Sequence, residues 1–247
     1  MAVPLGMAKF GNHFLDGLLP RDLAVLEPHL RKVILTQNQI LAKTGEPVVR
    51  SILPVNGIIS VILEMQDGRQ IETRTIGCES GYGLLHVLGA STSYETVTTQ
   101  IGGEAFVIDQ RAFATQARQS AALMENIVRH GQATIVQSAQ AVACNALHDV
   151  KQRLARWLLM TQDRVSDDEL PLTQQHLSVM LAVQRTTVTA AASELQREGA
   201  IAYRRGRITV VDRALLMKRS CECYEAIESG VKQLFAAPSA GALPGIH

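Results

Sequence analysis

Apolar residues recur along LTQQHLSVMLAVQRTTVTAAASELQREGAIAYRRGRITVV, residues 172–211, first at helical and then at strand spacing. Leu177, Leu181, Val188 and Leu195 are spaced so that two short helices share one buried face across the break Ala182-Val183-Gln184. Gln184 is expected to cap the second helix with its side-chain oxygen. Arg185, Thr186, Thr189 and Ala190 then lie on the outer surface of that helix's first turns. Such a surface suits the major groove of DNA, where Arg can make two hydrogen bonds to guanine and Thr can meet a thymine methyl group. An ordinary helical hairpin with a polar outer face is the plainer reading. Ala182 in a left-handed turn would cost about 1 to 2 kcal/mol.

The pattern then becomes β. Ile201-Ala202-Tyr203 and Ile208-Thr209-Val210-Val211 predict two strands around Arg204-Arg205-Gly206-Arg207, a wing whose guanidinium groups suit phosphate. From Arg185 to Arg213 there are six Arg and three acidic residues, a local balance of +3 in a chain whose net charge is +1. The positive charge is concentrated where a DNA reader needs it.

Upstream, PRDLAVLEPHL over Pro20–Leu30 predicts a short helix with Leu23, Leu26 and Leu30 inward. From Val33 the texture is β: VILTQ, PVVRSILPV, GIISVILEM, RQIETRTIG, YETVTTQI and GEAFVID, with Asp67-Gly68 a strong hairpin signal. This spacing predicts a small sandwich or jelly roll. The β signal stops after Asp109, and Arg111 to about Asn145 reads as one long helix. A heptad seam runs through Ala121, Met124, Val128, Gly131, Ile135, Ser138, Val142 and Asn145, which suits a parallel two-helix coil between two copies of the chain. The alternative is a helix packed on its own β domain. Asp149 is expected to cap a further helix presenting Val150, Leu154, Trp157 and Leu158, with a break at Ala146-Leu147-His148. Asp167-Asp168-Glu169 and Pro171 read as a polar loop, and Arg213–Phe235 as helical.

The expected architecture is therefore α+β: a β-roll domain over residues 1–110, a dimerisation helix and hinge over 111–147, a winged helix-turn-helix over 148–236, and a disordered tail over 237–247. A chain of 247 residues with 47% hydrophobic content can bury more than one core. It has no apolar run of about 18 residues and no secretory profile at its start, so a cytoplasmic protein without membrane contact is expected. There is no nucleophile-base arrangement, phosphate loop or HExxH spacing, which argues against an enzyme.

The four cysteines are Cys78, Cys144, Cys221 and Cys223, too few and scattered for a disulfide framework. Cys144 and His148 at i, i+4 and the pair Cys221, Cys223 could together give zinc four soft ligands, provided the last helix folds back on the hinge. Buried thiols beside a surface His are the simpler reading, because i, i+2 spacing on a helix puts Cys221 and Cys223 on opposite sides. No metal site is assigned on sequence. A thiol- or metal-responsive sensor acting mainly through protein partners stays as the alternative to a DNA reader.

From about Phe14 to Tyr224 the chain resembles the Crp/Fnr family of bacterial transcription regulators. The specific part is DVKQRLARWLLM followed by LPLTQQHLSVMLAVQRTTVTAAASELQREG. The resemblance implies a cyclic-nucleotide-binding-like β domain, a homodimer on a palindromic operator of double-stranded DNA, and RNA polymerase as a further partner. It makes Arg185 the guanine-reading arginine, Thr186 its base-reading neighbour, and Thr173 and Gln175 backbone contacts. The family often has Glu at the position of Thr186 and Arg at that of Ala190, so the operator sequence does not carry over. It also puts an effector near Gly81, Tyr82, Gly83 and Leu84, with Ser138 near the long-helix position that touches a purine. Where cyclic-nucleotide binders carry a phosphate-binding arginine, this chain has Ser93-Tyr94-Glu95. Cyclic AMP is therefore disfavoured and the effector stays unassigned. Iron-sulfur sensors of the family need clustered N-terminal cysteines, and the first here is Cys78.

Overall fold

The computed structural model describes residues 10–89, 92–165 and 167–236; the start of the chain and the tail read as disordered over 237–247 lie outside the described residues. Two short helices, α1 (His13–Asp16) and α2 (Pro20–Leu26), precede the β domain, and the latter gives way to a 3₁₀ turn at Glu27–His29. Seven strands follow: β1 (Arg31–Leu35), β2 (Ile40–Ala42), β3 (Arg50–Pro54), β4 (Ile58–Glu64), β5 (Gln70–Ile76), β6 (Thr96–Ile101) and β7 (Gly103–Asp109). They form two antiparallel sheets of order β1-β7-β3 and β2-β6-β4-β5.

Strand alternation explains how one sheet serves two cores. Ile52 and Val107 face the interior of the sandwich with Ile59, Val61 and Val97, while their neighbours Leu53 and Ile108 face the helices outside. The expected Asp67-Gly68 turn joins β4 to β5, with Gly68 at φ 81° and Met65 N–H donating to Arg69 C=O at 2.8 Å.

The helix expected from Arg111 to Asn145 is two helices, α3 (Gln110–Gln119) and α4 (Ala121–Leu147). Ser120 is the reason: it turns extended, and its hydroxyl accepts from Leu123 N–H at 3.2 Å, capping α4. Leu123 and Ile127 of α4 join Phe14, Leu15 and Phe113 in a helical layer against the β1-β7-β3 sheet.

His148 is extended and ends α4, and Asp149 caps α5 (Val150–Gln162) in a reciprocal box with Gln152. Then come β8 (Glu169–Leu170), α6 (Gln174–Leu181), α7 (Arg185–Arg197), β9 (Ile201–Arg204), β10 (Arg207–Val210), α8 (Arg213–Arg219) and α9 (Cys223–Ala236). Two expectations change here. Glu169 pairs with Thr209 and Leu170 with Ile208, so the supposed polar loop contributes a third strand to the wing. The single helix expected over Arg213–Phe235 breaks at Ser220, which lets α9 turn back along α4.

The third core holds the winged helix together: Leu154, Leu158, Leu177, Val188 and Leu195 are fully buried, and Leu181 nearly so. It continues into Ile58 and Ile101 of the β domain. The two halves are also joined by polar bonds. Trp157 Nε1 donates to Glu72 at 3.1 Å, Arg164 reaches Thr75 at 2.8 Å and Glu79 at 3.0 Å, and Gln37 donates to Pro171 C=O at 2.8 Å. Among the described residues no helix is long and apolar enough to cross a membrane.

Candidate nucleic-acid interface

Helices α6 and α7 meet through Ala182, whose φ of 50° and ψ of 43° put it in the left-handed region that the break requires. Thr173 caps α6: its hydroxyl accepts from His176 N–H, and His176 Nδ1 faces Thr173 N–H in return. Gln184 does not act as expected. It stands extended at the N-cap of α7 with no side-chain hydrogen bond to the helix, and its backbone C=O instead accepts from Thr187 and Val188 N–H. Its side chain is one methylene longer than Asn, the favoured cap, and is left facing solvent.

Beyond Gln184, the side chains of Arg185, Thr186, Thr189 and Ala190 are all exposed while Val188 between them is buried. Thr189 Oγ1 donates to Arg185 C=O at 2.8 Å, which ties its hydroxyl to its own helix. Thr189 is exposed, and with its hydroxyl so engaged its methyl group is the part of the side chain that suits a thymine.

The wing turn is Arg205 at φ 48° followed by Gly206 at φ 77°, the two-residue form with both centres left-handed. An Arg held there costs about 1 to 2 kcal/mol relative to relaxed backbone and carries its side chain to the exposed tip. Gly206 lies beside Thr173, so the wing and the start of α6 are neighbours, and Thr173, Gln175, Arg204 and Arg205 are all exposed. Arg207 is exposed too, but paired with Glu169 at 3.1 Å. Behind this surface, Lys151 bonds Glu194 at 2.5 Å and Glu198 at 3.4 Å, and Arg219 takes the other oxygen of Glu198. Those carboxylates are neutralised on the side of α7 away from its N-terminus, while Arg185, Arg204 and Arg205 form no ion pair among the described residues.

The outer face of α4 departs from the expected seam. Val128, Ile135 and Val142 are 40%, 66% and 72% exposed, but Gly131 and Met124 face the rest of the chain. A Cβ on Gly131 would fall 2.6 Å from Leu85, and Met124 packs on the helical layer. Ala121, Val128, Ile135, Val142 and Asn145 of the expected seam are exposed, and Gln132, Ala139 and Ala146 extend that outer face in place of Gly131 and Ser138. Ser138 is half-buried beside it.

The residues carried over for an effector are packed. A Cβ on Gly81 would meet Leu53 at 2.3 Å and one on Gly83 would meet Ser51 Oγ at 2.9 Å, while Tyr82 and Leu84 are buried. Tyr82 donates to Ser93 Oγ at 2.8 Å. Glu95, in the segment that replaces the phosphate-binding arginine, is gripped by Arg74 from β5 with two bonds of 2.7 and 2.8 Å. The junction of the β domain with α4 and α5 forms a cleft lined by Glu72, Arg74, Gln137, Asn145, Arg156 and Trp157. A second cleft holds Ser80, His130, Thr134 and Gln137, with Val231 and Phe235 of α9 as its other wall. His130 is buried with its Nδ1 3.1 Å from Ser80 Oγ, and burial pushes its pKa down to about 3.

A three-stranded wing beside a helix whose polar N-terminal turns stand clear of the protein defines the winged helix-turn-helix class of domain. Residues 152–219 match the family model of the Crp-like helix-turn-helix domain. Over 214 residues, covering 83% of this chain and 95% of the relative, the sequence is 22% identical to the CRP-like cAMP-activated global transcriptional regulator of Mycobacterium tuberculosis. The fold is similar to that of FixK2 from Bradyrhizobium japonicum, with TM-score 0.67 and 14% identity over 78% of this chain and 98% of that one. It is also similar to the c-di-GMP responsive global regulator CLP of Xanthomonas campestris, with TM-score 0.62 and 16% identity over 77% of this chain and 98% of that one. Residues 152–219 are thus a Crp-like helix-turn-helix domain, and over most of its length the chain is similar to a CRP-like transcriptional regulator and shares the fold of solved Crp/Fnr-family proteins.

Proposed function

We propose that the protein acts in the cytoplasm as a homodimer that reads a two-fold palindromic operator and works with RNA polymerase. Each subunit inserts α7 into one of two successive major grooves, about 34 Å apart. Arg185, Thr186, Thr189 and Ala190 meet base edges, whereas Gln184, Thr173, Gln175, Arg204, Arg205 and Arg207 meet the backbone. The observation that carries the dimer is the apolar stripe of Val128, Ile135 and Val142 on α4, which a single subunit leaves in water. Ile135→Glu puts two charges across that seam. Sedimentation equilibrium should then find a monomer where the parent chain is a dimer, with DNA affinity falling accordingly. A parent chain that is monomeric at micromolar concentration would sink the proposal.

Control acts on the docking of the reading head against the β domain, through the cleft that Glu72, Arg74 and Trp157 share with α4. A ligand entering there changes DNA affinity only by binding the docked and released arrangements differently. The cyclic AMP named for the M. tuberculosis relative is not carried over. Arg74 already neutralises Glu95 at the phosphate-binding position, and α9 lines the second cleft.

A further inference from the structure

The turn of α9 back along α4 meets the condition on which the sequence offered four side chains as one zinc set. Cys144 lies in the last turn of α4 and His148 at its C-cap, while Cys221 and Cys223 precede and open α9. Cys221 lies outside the helix, so the argument that i, i+2 spacing separates the two thiols does not apply. One ligand atom from each of the four lies within 4.8 Å of the others. Cys144 Sγ is 3.5 Å from Cys221 Sγ, and Cys223 Sγ is 3.5 Å from His148 Nδ1.

We propose that Cys144, His148, Cys221 and Cys223 form a zinc site that clamps the hinge between the long helix and the reading head. Tetrahedral zinc bound at about 2.3 Å by sulfur and about 2.0 Å by imidazole nitrogen sets ligand atoms roughly 3.5 to 3.8 Å apart. The Cys144–Cys221 and Cys223–His148 spacings of 3.5 Å meet that requirement, and the remaining pairs, all within 4.8 Å, need to close by no more than about 1 Å. The three thiols are 0%, 4% and 1% exposed, which is the closed setting of a structural zinc rather than a catalytic one.

The surroundings fit the same ion. His148 offers Nδ1 to the cluster while its Nε2 lies 3.1 Å from a carboxylate oxygen of Glu222, the carboxylate-histidine pairing that orients an imidazole toward zinc. Gln140 Nε2 donates to Cys223 Sγ at 3.1 Å. Three thiolates and a divalent ion leave one negative charge. Arg153 and Arg156, both on the buried face of α5, lie close enough to the thiols to offset it. The ligands come from α4, the hinge residue and the α8–α9 junction, so one ion fixes three segments on which the placement of the reading head depends.

The test uses the full-length protein purified under reducing conditions. Metal analysis should find one zinc per chain, and competition with a chromophoric chelator should give a Kd below about 0.1 µM. Cobalt in its place should show the strong visible absorption of a tetrahedral thiolate site. Cys144→Ser and His148→Ala should each lower affinity by at least a hundredfold, and Glu222→Gln by about ten- to a hundredfold through the imidazole. Cys78→Ser, outside the cluster, should change nothing. His148 and Glu222 lie at the rim, so those variants read the site even if a thiol variant misfolds. Substoichiometric zinc in the reduced parent, affinity unaffected by His148→Ala and Glu222→Gln, or a Cys144–Cys221 disulfide in place of metal would each overturn the proposal. Each of these readouts is independent of whether the protein dimerises or which DNA it reads.

Discussion

Glu72→Gln tests how the reading head is held on the β domain. The Glu72 carboxyl is buried where β5 meets α5, accepting from Trp157 Nε1, Ser60 Oγ and Gln100 Nε2. Burial raises its pKa from 4.5 to about 7, against the lowering effect of the Ser60 and Trp157 hydrogen bonds and of Arg164 and Arg156. The native state therefore binds the proton more tightly than the unfolded chain. The stabilisation is fully present below about pH 4.5 and is lost as pH rises through about 7. A gap of about 2.5 pH units at ~1.4 kcal/mol each sets its full size near 3 kcal/mol, of which about 2 to 3 kcal/mol disappears between about pH 5 and 8. Gln keeps an acceptor for Trp157 and never ionises. Urea unfolding at a series of pH values should show Glu72→Gln gaining on the parent by that amount as pH rises, since all other titrating groups are common to both proteins. Two curves that stay parallel within about 0.5 kcal/mol would refute the reasoning.

Three further expectations concern the reading head. Arg205→Ala at the wing tip should weaken binding to all DNA sequences alike and lower the slope of log affinity against log salt by about one. Arg207→Ala should do less, because Arg207 is already held by Glu169, and salt titrations of both variants check the order. Leu177→Ala, at a position with no exposure between α6 and α7, should cost about 2 to 5 kcal/mol by denaturant unfolding, more than any wing substitution.

The helix-turn-helix was legible because its signal is local: Leu177, Leu181, Val188 and Leu195 lie within nineteen residues and share one face. The wing turn was legible for the same reason, through Arg205-Gly206 between β-branched runs. What failed depended on partners far away in sequence. Glu169 and Leu170 are β only because β10 lies beside them. Gly131 is missing from the exposed stripe on α4 because it and His130 are taken up by Leu85, Ser80 and Phe235, contacts no heptad count contains. Ser120 was a local signal that could have been read, a capping residue inside an apparently continuous helix. The Arg74–Glu95 pair and the cysteine-histidine cluster join segments about 21 and 77 residues apart, so residue type alone could only raise the second as a condition.

Selection of DNA from a random pool by the parent chain and by Arg185→Ala tests the central claim most directly. The account predicts that the parent retains inverted half-sites with centres one duplex turn, about 34 Å, apart. Arg185→Ala should lose about 1 to 3 kcal/mol and relax the preference at one base pair in each half-site. A parent that retains no common sequence or only an unrepeated half-site, or an Arg185→Ala variant that selects the same bases as the parent, would contradict it.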